Sequence, residues 1–196
     1  MGKGQKGFLY DANYDPEIIR IRTKCADLCY EFNQCRPSDT QRQQSLLREI
    51  LGKIKGSVVI TTPFYCDYGT NISIGDNFYT NHNCVILDGA KVTFVDNVFI
   101  APNCVFSTAG HPIDAEQRNA GLEIALPITV GNNVWIGTNV SVLPGVTIGD
   151  NCVIGAGGVV NKDIPSNVVA AGNPCRVLRP ITERDKEKYL VWNGND

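Results

Sequence analysis

The sequence predicts a mainly β fold: a β-solenoid of six-residue repeats with helices at its amino-terminal end. Three observations carry this. From Val130 an aliphatic residue recurs every six positions, at Val130, Ile136, Val142, Ile148, Ile154 and Val160. The next position is Gly in four of the six blocks VGNNVW, IGTNVS, VLPGVT, IGDNCV, IGAGGV and VNKDIP. Residues 1–55, by contrast, space their apolar side chains as helices do. A period of six suits the pleat of short strands broken by Gly, Asn and Asp turns, and it does not suit a helix. A repeat this short cannot bury its own face, so it must stack on its neighbours.

In chain order, DPEIIRIRTKCADLCYEFN and SDTQRQQSLLREILGKI read as two helices joined at Cys35-Arg36-Pro37. Ser38 and Asp39 suit the second helix's N-cap, and Gly52 suits its C-terminal end. This helical segment covers 1–56. The solenoid then spans 57–170, with 107–127 inserted as a loop. Its early repeats carry Ile74, Ile86, Val92, Phe94 and Ile100, with a two-residue phase slip between Val92 and Phe94. In the later blocks the aliphatic first position points inward. The fifth position, Val134, Val140, Val146, Cys152, Gly158 and Ile164, is small enough to turn a corner. Gly and Asn supply positive φ at the turns. Residues 171–196 form a cap and tail, with ITERDKEKYLVW as a short final helix covering an otherwise open strand edge.

With 18 basic and 20 acidic residues the net charge is −2. That argues against nucleic acid or an anionic membrane as partner. No apolar run reaches membrane-spanning length. MGKGQKGFLYD lacks the apolar core of a secretory signal, and Lys6 stands where a myristoylation signal needs Ser or Thr. The expected location is cytoplasmic. Of the eight cysteines none forms a C-x-x-C pair, and only two histidines are available to help hold a metal. Cys84, Cys104 and Cys152 share one repeat position and read as small hydrophobes, reduced as in cytosol. No metal site is expected.

His111, in TAGHPID, has two readings. It is either an exposed loop histidine near Asp114 or a general base for a hydroxyl proton. Gly110 and Pro112 fix the chain around it, at the junction of a rigid stack and its one large excursion, where functional groups concentrate. His82 falls at a turn and reads as surface. Asn81 and Asn83 beside it are turn residues or, alternatively, amides that orient a hydroxyl or stabilise an oxyanion. GAGG at 155–158 is in phase with the repeats and structural. Lys162, Arg176 and Arg179 are solvated charges or holders of a cofactor's phosphates.

NNVWIG (132–137), PGVTIGDNCVIGAGGVV (144–160), KDIPSNVVAAGNPCRVLR (162–179), GHPID (110–114), YEFN (30–33), CDYGTNISIGDNFYTN (66–81) and IAPNC (100–104) together resemble the maltose/galactoside O-acetyltransferases, hexapeptide-repeat acyltransferases. The resemblance covers nearly the whole chain. It implies a left-handed parallel β-helix and a homotrimer with active sites between subunits. It also implies transfer of acetyl from acetyl-CoA to a sugar hydroxyl with no metal required. By motif match His111 is the base, and Asn81 helps to bind the acceptor and stabilise the transition state. Asp67 and Tyr79 line the acceptor site, joined by Asn13 (with Asp11 competing) and Arg22. Trp135, Thr138, Ala156, Asn161, Lys162, Arg176 and Arg179 match the CoA side. The inserted loop resembles an arm that reaches a neighbouring subunit. Where galactoside enzymes carry an acidic residue soon after Asp88, this chain has Gly89.

Other readings share parts of this pattern. A xenobiotic (antibiotic) O-acetyltransferase would use the same fold, cofactor and base. A non-catalytic solenoid scaffold predicts no role for His111. A zinc carbonic anhydrase on such a helix needs three histidine ligands, and His82 and His111 alone do not supply them.

Overall fold

The computed structural model describes residues 8–189. Helix α1, Pro16–Gln34, starts where Asp15 caps it, its carboxylate accepting from the backbone N–H of Glu17 and Ile18, with Pro16 at the first helical position. It buries Ile18, Cys25, Cys29 and Phe32. Helix α2, Thr40–Ile50, is capped by Asp39, which accepts from Arg42 N at 3.1 Å, and it buries Leu46, Leu47 and Ile50. Gly52 does not serve as its C-cap, because the cap is Leu51 in an extended conformation. Gly52 is needed for close approach: a Cβ there would lie 2.1 Å from the Thr70 carbonyl oxygen. Both helices share one core with the solenoid. Asn33 pins α1 to it, donating to Phe64 O at 2.9 Å and accepting from Phe64 N at 2.8 Å.

The solenoid has three faces of parallel strands. The first stacks Lys53–Ile54, Ile72–Ile74, Val92–Phe94, Ile128–Val130 and Thr147–Ile148. The second stacks Val58–Ile60, Phe78–Thr80, Val98–Ile100, Val134–Ile136, Val153–Ile154 and Val168–Ala171. The third stacks Phe64–Cys66, Cys84–Leu87, Val105–Ser107, Ser141–Val142 and Val159–Val160. The first and fifth repeat positions both point inward: Val134, Val140 and Cys152 are as buried as Ile136, Val142 and Ile154. Cys84, Cys104 and Cys152 are fully buried free thiols, in keeping with their reading as small hydrophobes. At the turns Asn77, Asn83, Asn97, Asn103, Asn133, Asn139, Asn151 and Asn167 take the expected positive φ. Several also stack, Asn77 donating to Asn97 at 2.9 Å and Asn97 to Asn133 at 3.0 Å.

Register explains the irregular early repeats. Trp135 pairs with Val153, a coil of 18 residues or three repeats, whereas Val58 pairs with Phe78 and Tyr79 with Phe99, coils of 20. The slip does not fall between Val92 and Phe94, which are the two inward ends of one strand. The extra residues lie in the corner that joins the third face to the first, at 67–71 and 88–91. The insertion occupies the same corner one coil later, at 108–127. These wider coils are filled by Phe64, Phe78, Phe94 and Phe106, with ring centroids of Phe94 5.0 Å from both Phe78 and Phe106. Val and Ile fill the 18-residue coils.

At the far end the chain turns at Gly172, with φ of 98°, and Arg176–Pro180 runs back antiparallel along Val168–Ala171. The expected final helix is a 3-10 helix, Glu183–Glu187, started by Asp185 accepting from Thr182 N at 2.8 Å. The rest of that expected segment, from Leu190, lies outside the described residues. No helix among the described residues is long and apolar enough to cross a membrane.

The wide corner holds two fully buried polar side chains, Asp88 and Thr108. Asp88 accepts from the backbone N–H of Asp67 at 3.1 Å and Tyr68 at 2.8 Å, and Thr108 Oγ1 donates to Leu87 O at 2.7 Å. Burial pushes the Asp88 carboxyl up to about 6, against the pull of the Tyr68 N–H. A carboxyl whose folded pKa is raised adds stability in its protonated form. Its contribution is complete below about pH 4 and is lost as pH rises through the folded value. Asp88→Asn is therefore expected to flatten the stability profile by on the order of 2–3 kcal/mol between about pH 4 and 7. Urea denaturation of both proteins across that range checks this, and parallel profiles would contradict it.

Candidate active site

The inserted segment is a hairpin rather than a free loop. Ala109–Gly110 pairs antiparallel with Leu122–Ala125, with Gly110 opposite Ile124. Between them lies α3, Ala115–Asn119, capped by Asp114, which accepts from Gln117 N at 2.9 Å. Gly121, with φ of 78°, follows it, and a Cβ there would lie 2.5 Å from the Tyr14 ring. Tyr10–Asp11 adds a third strand on the outer edge, with Tyr10 opposite Glu123. This register sets His111, just past Gly110, beside Glu123, just before Ile124.

His111 Nε2 lies 3.7 Å from Glu123 Oε1, an ion-pair distance longer than a hydrogen bond. The histidine side chain is 51% exposed and the glutamate only 12%, so the carboxylate sits behind the ring and the ring faces outward. Asn13 Nδ2 donates to the same Glu123 oxygen at 3.3 Å and to Gly121 O at 3.0 Å. Asp11, its rival in the sequence, is spent on a local turn, accepting from the N–H of Asn13 and Tyr14.

Asp67 and Arg22 belong to the same cluster. Burial pushes the Asp67 carboxyl up, the Arg22 guanidinium opposes this, and Glu123 adds to it. Burial likewise raises the Tyr10 phenol, with Glu123 and Asp67 adding and Arg22 opposing. The amino-terminal strand, α1, the wide corner and the hairpin thus converge on one polar patch. Gly89 borders it: a Cβ there would lie 3.1 Å from Tyr10 Oη and 3.4 Å from Ala125 Cβ. Tyr10 therefore crowds the space that a side chain at 89 would enter.

The remaining expected site residues lie elsewhere in the chain. Asn81, Thr138 and Ala156 share the corner between the second and third faces, as the bonds Asn103 N to His82 O, Asn139 N to Pro102 O and Gly157 N to Thr138 O fix coil on coil. Asn81 Oδ1 accepts from His82 N at 2.7 Å, and His82, exposed as expected, turns Nδ1 to Thr62 O. Tyr79 and Trp135 stand in one outward column on the second face, in register through Phe99. Asn161 and Lys162 follow the third-face strand Val159–Val160, on the wide-corner side but beyond the hairpin. Arg176 Nη1 donates to Asn161 Oδ1 at 3.3 Å and, like Lys162, has no ion pair among the described residues. Arg179 is held differently, its guanidinium donating to both Asp185 oxygens at 2.9 and 2.7 Å, which holds that carboxyl far below its ordinary range.

Sequence reasoning did not single out Glu123 or Tyr10. GLEIAL has a strand's alternation, but only the tertiary pairing with Ala109–Gly110 and Tyr10–Asp11 places the two residues beside His111 and Gly89.

Comparison with known proteins agrees with this architecture. Residues 3–56 match the maltose acetyltransferase hexapeptide capping motif, and residues 127–162 match the bacterial transferase hexapeptide of six repeats. Galactoside O-acetyltransferase of Escherichia coli K12 is 52% identical over 171 residues, covering 87% of this chain and 83% of its own. The crystal structure of a maltose O-acetyltransferase from Clostridium difficile 630 superposes with a TM-score of 0.89 at 46% identity, covering 92% of this chain and 96% of that one. A galactoside acetyltransferase in complex with coenzyme A superposes with a TM-score of 0.92 at 47% identity, covering 96% and 94%. This chain belongs to the maltose and galactoside O-acetyltransferase family of hexapeptide-repeat acetyltransferases.

Proposed function

We propose that the protein transfers acetyl from acetyl-CoA directly to a sugar hydroxyl of the maltose, glucose or galactoside type, with His111 as general base. The observation that carries this is the His111–Glu123 pair at the mouth of the wide corner, flanked by Asn13, Arg22 and Asp67. A sugar hydroxyl is a poor nucleophile until something accepts its proton, and His111 offers an exposed ring nitrogen for that. Glu123 orients the ring and offsets the positive charge it gains on taking the proton. Asn13, Arg22 and Asp67 present donors and acceptors that suit the hydroxyls of a sugar. The thioester supplies an acyl group already activated for attack, and Asn81 steadies the oxyanion that forms. Gly89, crowded by Tyr10, leaves the site without the acidic side chain that the sequence resemblance assigns to galactoside enzymes, which supports maltose or glucose as the first acceptors to assay.

Acetyl-CoA fits the residues at the far end of the stack. Lys162 and Arg176 are exposed cations without a carboxylate partner among the described residues, suited to phosphates. Trp135 is 55% exposed and offers a flat apolar surface. Thr138 and Ala156 offer backbone groups at a corner. Arg179, tied to Asp185, is the least available of the set.

The two expected halves of the site lie on different corners of one chain. We read this as a site shared between copies in a closed homotrimer. An outward apolar column of Val59, Phe99 and Trp135 on the second face, and Ile113 at 98% exposure on the hairpin, support such packing. A cytoplasmic location suits the free thiols.

Acetyl-CoA consumption with a panel of maltose, glucose and galactosides is expected to show turnover in the wild type. His111→Ala should lose about 10²–10⁴-fold in kcat while still binding CoA. No CoA binding by the wild type, or ping-pong kinetics with a trapped acetyl-enzyme, would contradict the proposal. Glu123→Gln should cut kcat about 10-fold or more with little change in KM for acetyl-CoA. An unchanged kcat would remove Glu123 from the mechanism.

A further inference from the structure

We propose that Cys25, Cys29 and Cys66 form a binding site for one soft divalent cation of the zinc class. No C-x-x-C spacing announces it, because the ligands come from two separate elements. Cys25 and Cys29 lie one turn apart on the buried face of α1, and Cys66 ends the strand Phe64–Cys66. The Asn33–Phe64 clamp holds that helix against that strand. As a result the three sulfurs face one another, Cys25 Sγ 3.5 Å and Cys29 Sγ 3.7 Å from Cys66 Sγ, all three within 4.8 Å.

The spacing suits a metal better than a disulfide. Zinc–sulfur bonds of about 2.3 Å in a tetrahedron put neighbouring sulfurs about 3.8 Å apart. A disulfide needs about 2.05 Å and would strand the third thiol. No other buried cysteine among the described residues has two further sulfurs against it: Cys104 and Cys152 each direct the S–H to a backbone carbonyl, Gly137 O and Pro165 O, at 3.1 Å, as Cys25 also does to Cys66 O at 3.7 Å.

Access and charge fit as well. A cavity of about 280 Å³ reaches the cluster at Cys25, the one ligand of the three that lines it, with Arg20, Lys24, Glu49 and Tyr68 among its other walls, which gives an ion a route. Three thiolates around a divalent ion leave one net negative charge in the core, whereas a monovalent ion would leave two, at greater desolvation cost. The site would fasten the helical segment to the first coil, next to Asp67. It takes no part in acetyl transfer, so its test is independent of that reaction.

The test is a titration of the full-length, reduced, metal-stripped protein with Co²⁺, repeated after refolding from denaturant with Co²⁺ present. We expect a near-ultraviolet thiolate-to-cobalt charge-transfer band that saturates at one ion per chain and is displaced by Zn²⁺. The band should be lost in Cys29→Ser and in Cys25→Ser. It should persist in Cys152→Val, which replaces a cysteine outside the cluster with the residue its repeat position favours. Circular dichroism confirms that each variant is folded. No band by either route, or a band that the folded Cys29→Ser or Cys25→Ser variant retains, would overturn the site.

Discussion

Everything in this molecule depends on the parallel hydrogen-bond ladder between successive coils. Each inner strand of a face pairs with the strand one coil before and one coil after it, so coil length is not free: adding residues to a face would shift the register and turn inward side chains outward. Length can change only at a corner, and here it does so at one corner. The residues 67–71, 88–91 and 108–127 all leave the stack between the third face and the first. The same constraint sets the close contacts that demand glycine. A Cβ at Gly75 would lie 2.4 Å from the Val95 carbonyl of the next coil.

The wide corner is therefore where the fold makes room for chemistry. A coil with two extra residues must bury polar backbone, and Asp88 and Thr108 satisfy it from within. On that base the hairpin departs, and its antiparallel pairing gives His111 a fixed neighbour in Glu123. The amino-terminal strand closes the outer edge and brings Asn13 and Tyr10 with it. The proposed base thus stands on firm footing beside a cover that the ladder does not constrain.

Residues whose role follows from period were legible in the sequence. The inward aliphatic positions, the small fifth positions including Cys84, Cys104 and Cys152, the Asn turns and the place of His111 all follow from the six-residue spacing. Residues whose role depends on pairing between distant segments were not. Glu123 meets His111 only through the hairpin register, Tyr10 meets Gly89 only through an added strand, and Cys66 meets Cys25 and Cys29 only because a helix packs on the first coil. Gly52 looked like a helix cap because caps favour glycine, yet its position is set by the Thr70 carbonyl above it. Val92 and Phe94 are both apolar, which on sequence alone puts the phase slip between them, and only pairing shows that both point inward.

One chain thus carries His111 and its polar partners on one corner, and Asn81, Thr138 and Ala156 on another. If the reaction needs both, copies must share it, and cyclic closure gives every subunit the same pair of borrowed and lent surfaces. Mixed assemblies test this most directly. Inactive His111→Ala and inactive Asn81→Ala proteins are unfolded together in equal amounts, refolded and assayed with acetyl-CoA and the preferred sugar. A shared site predicts recovery of about one quarter of wild-type activity, the random share of interfaces that join an intact His111 to an intact Asn81 in a three-fold ring. Activity that stays at the level of the two separate variants, in an assembly shown to be mixed, would contradict the account.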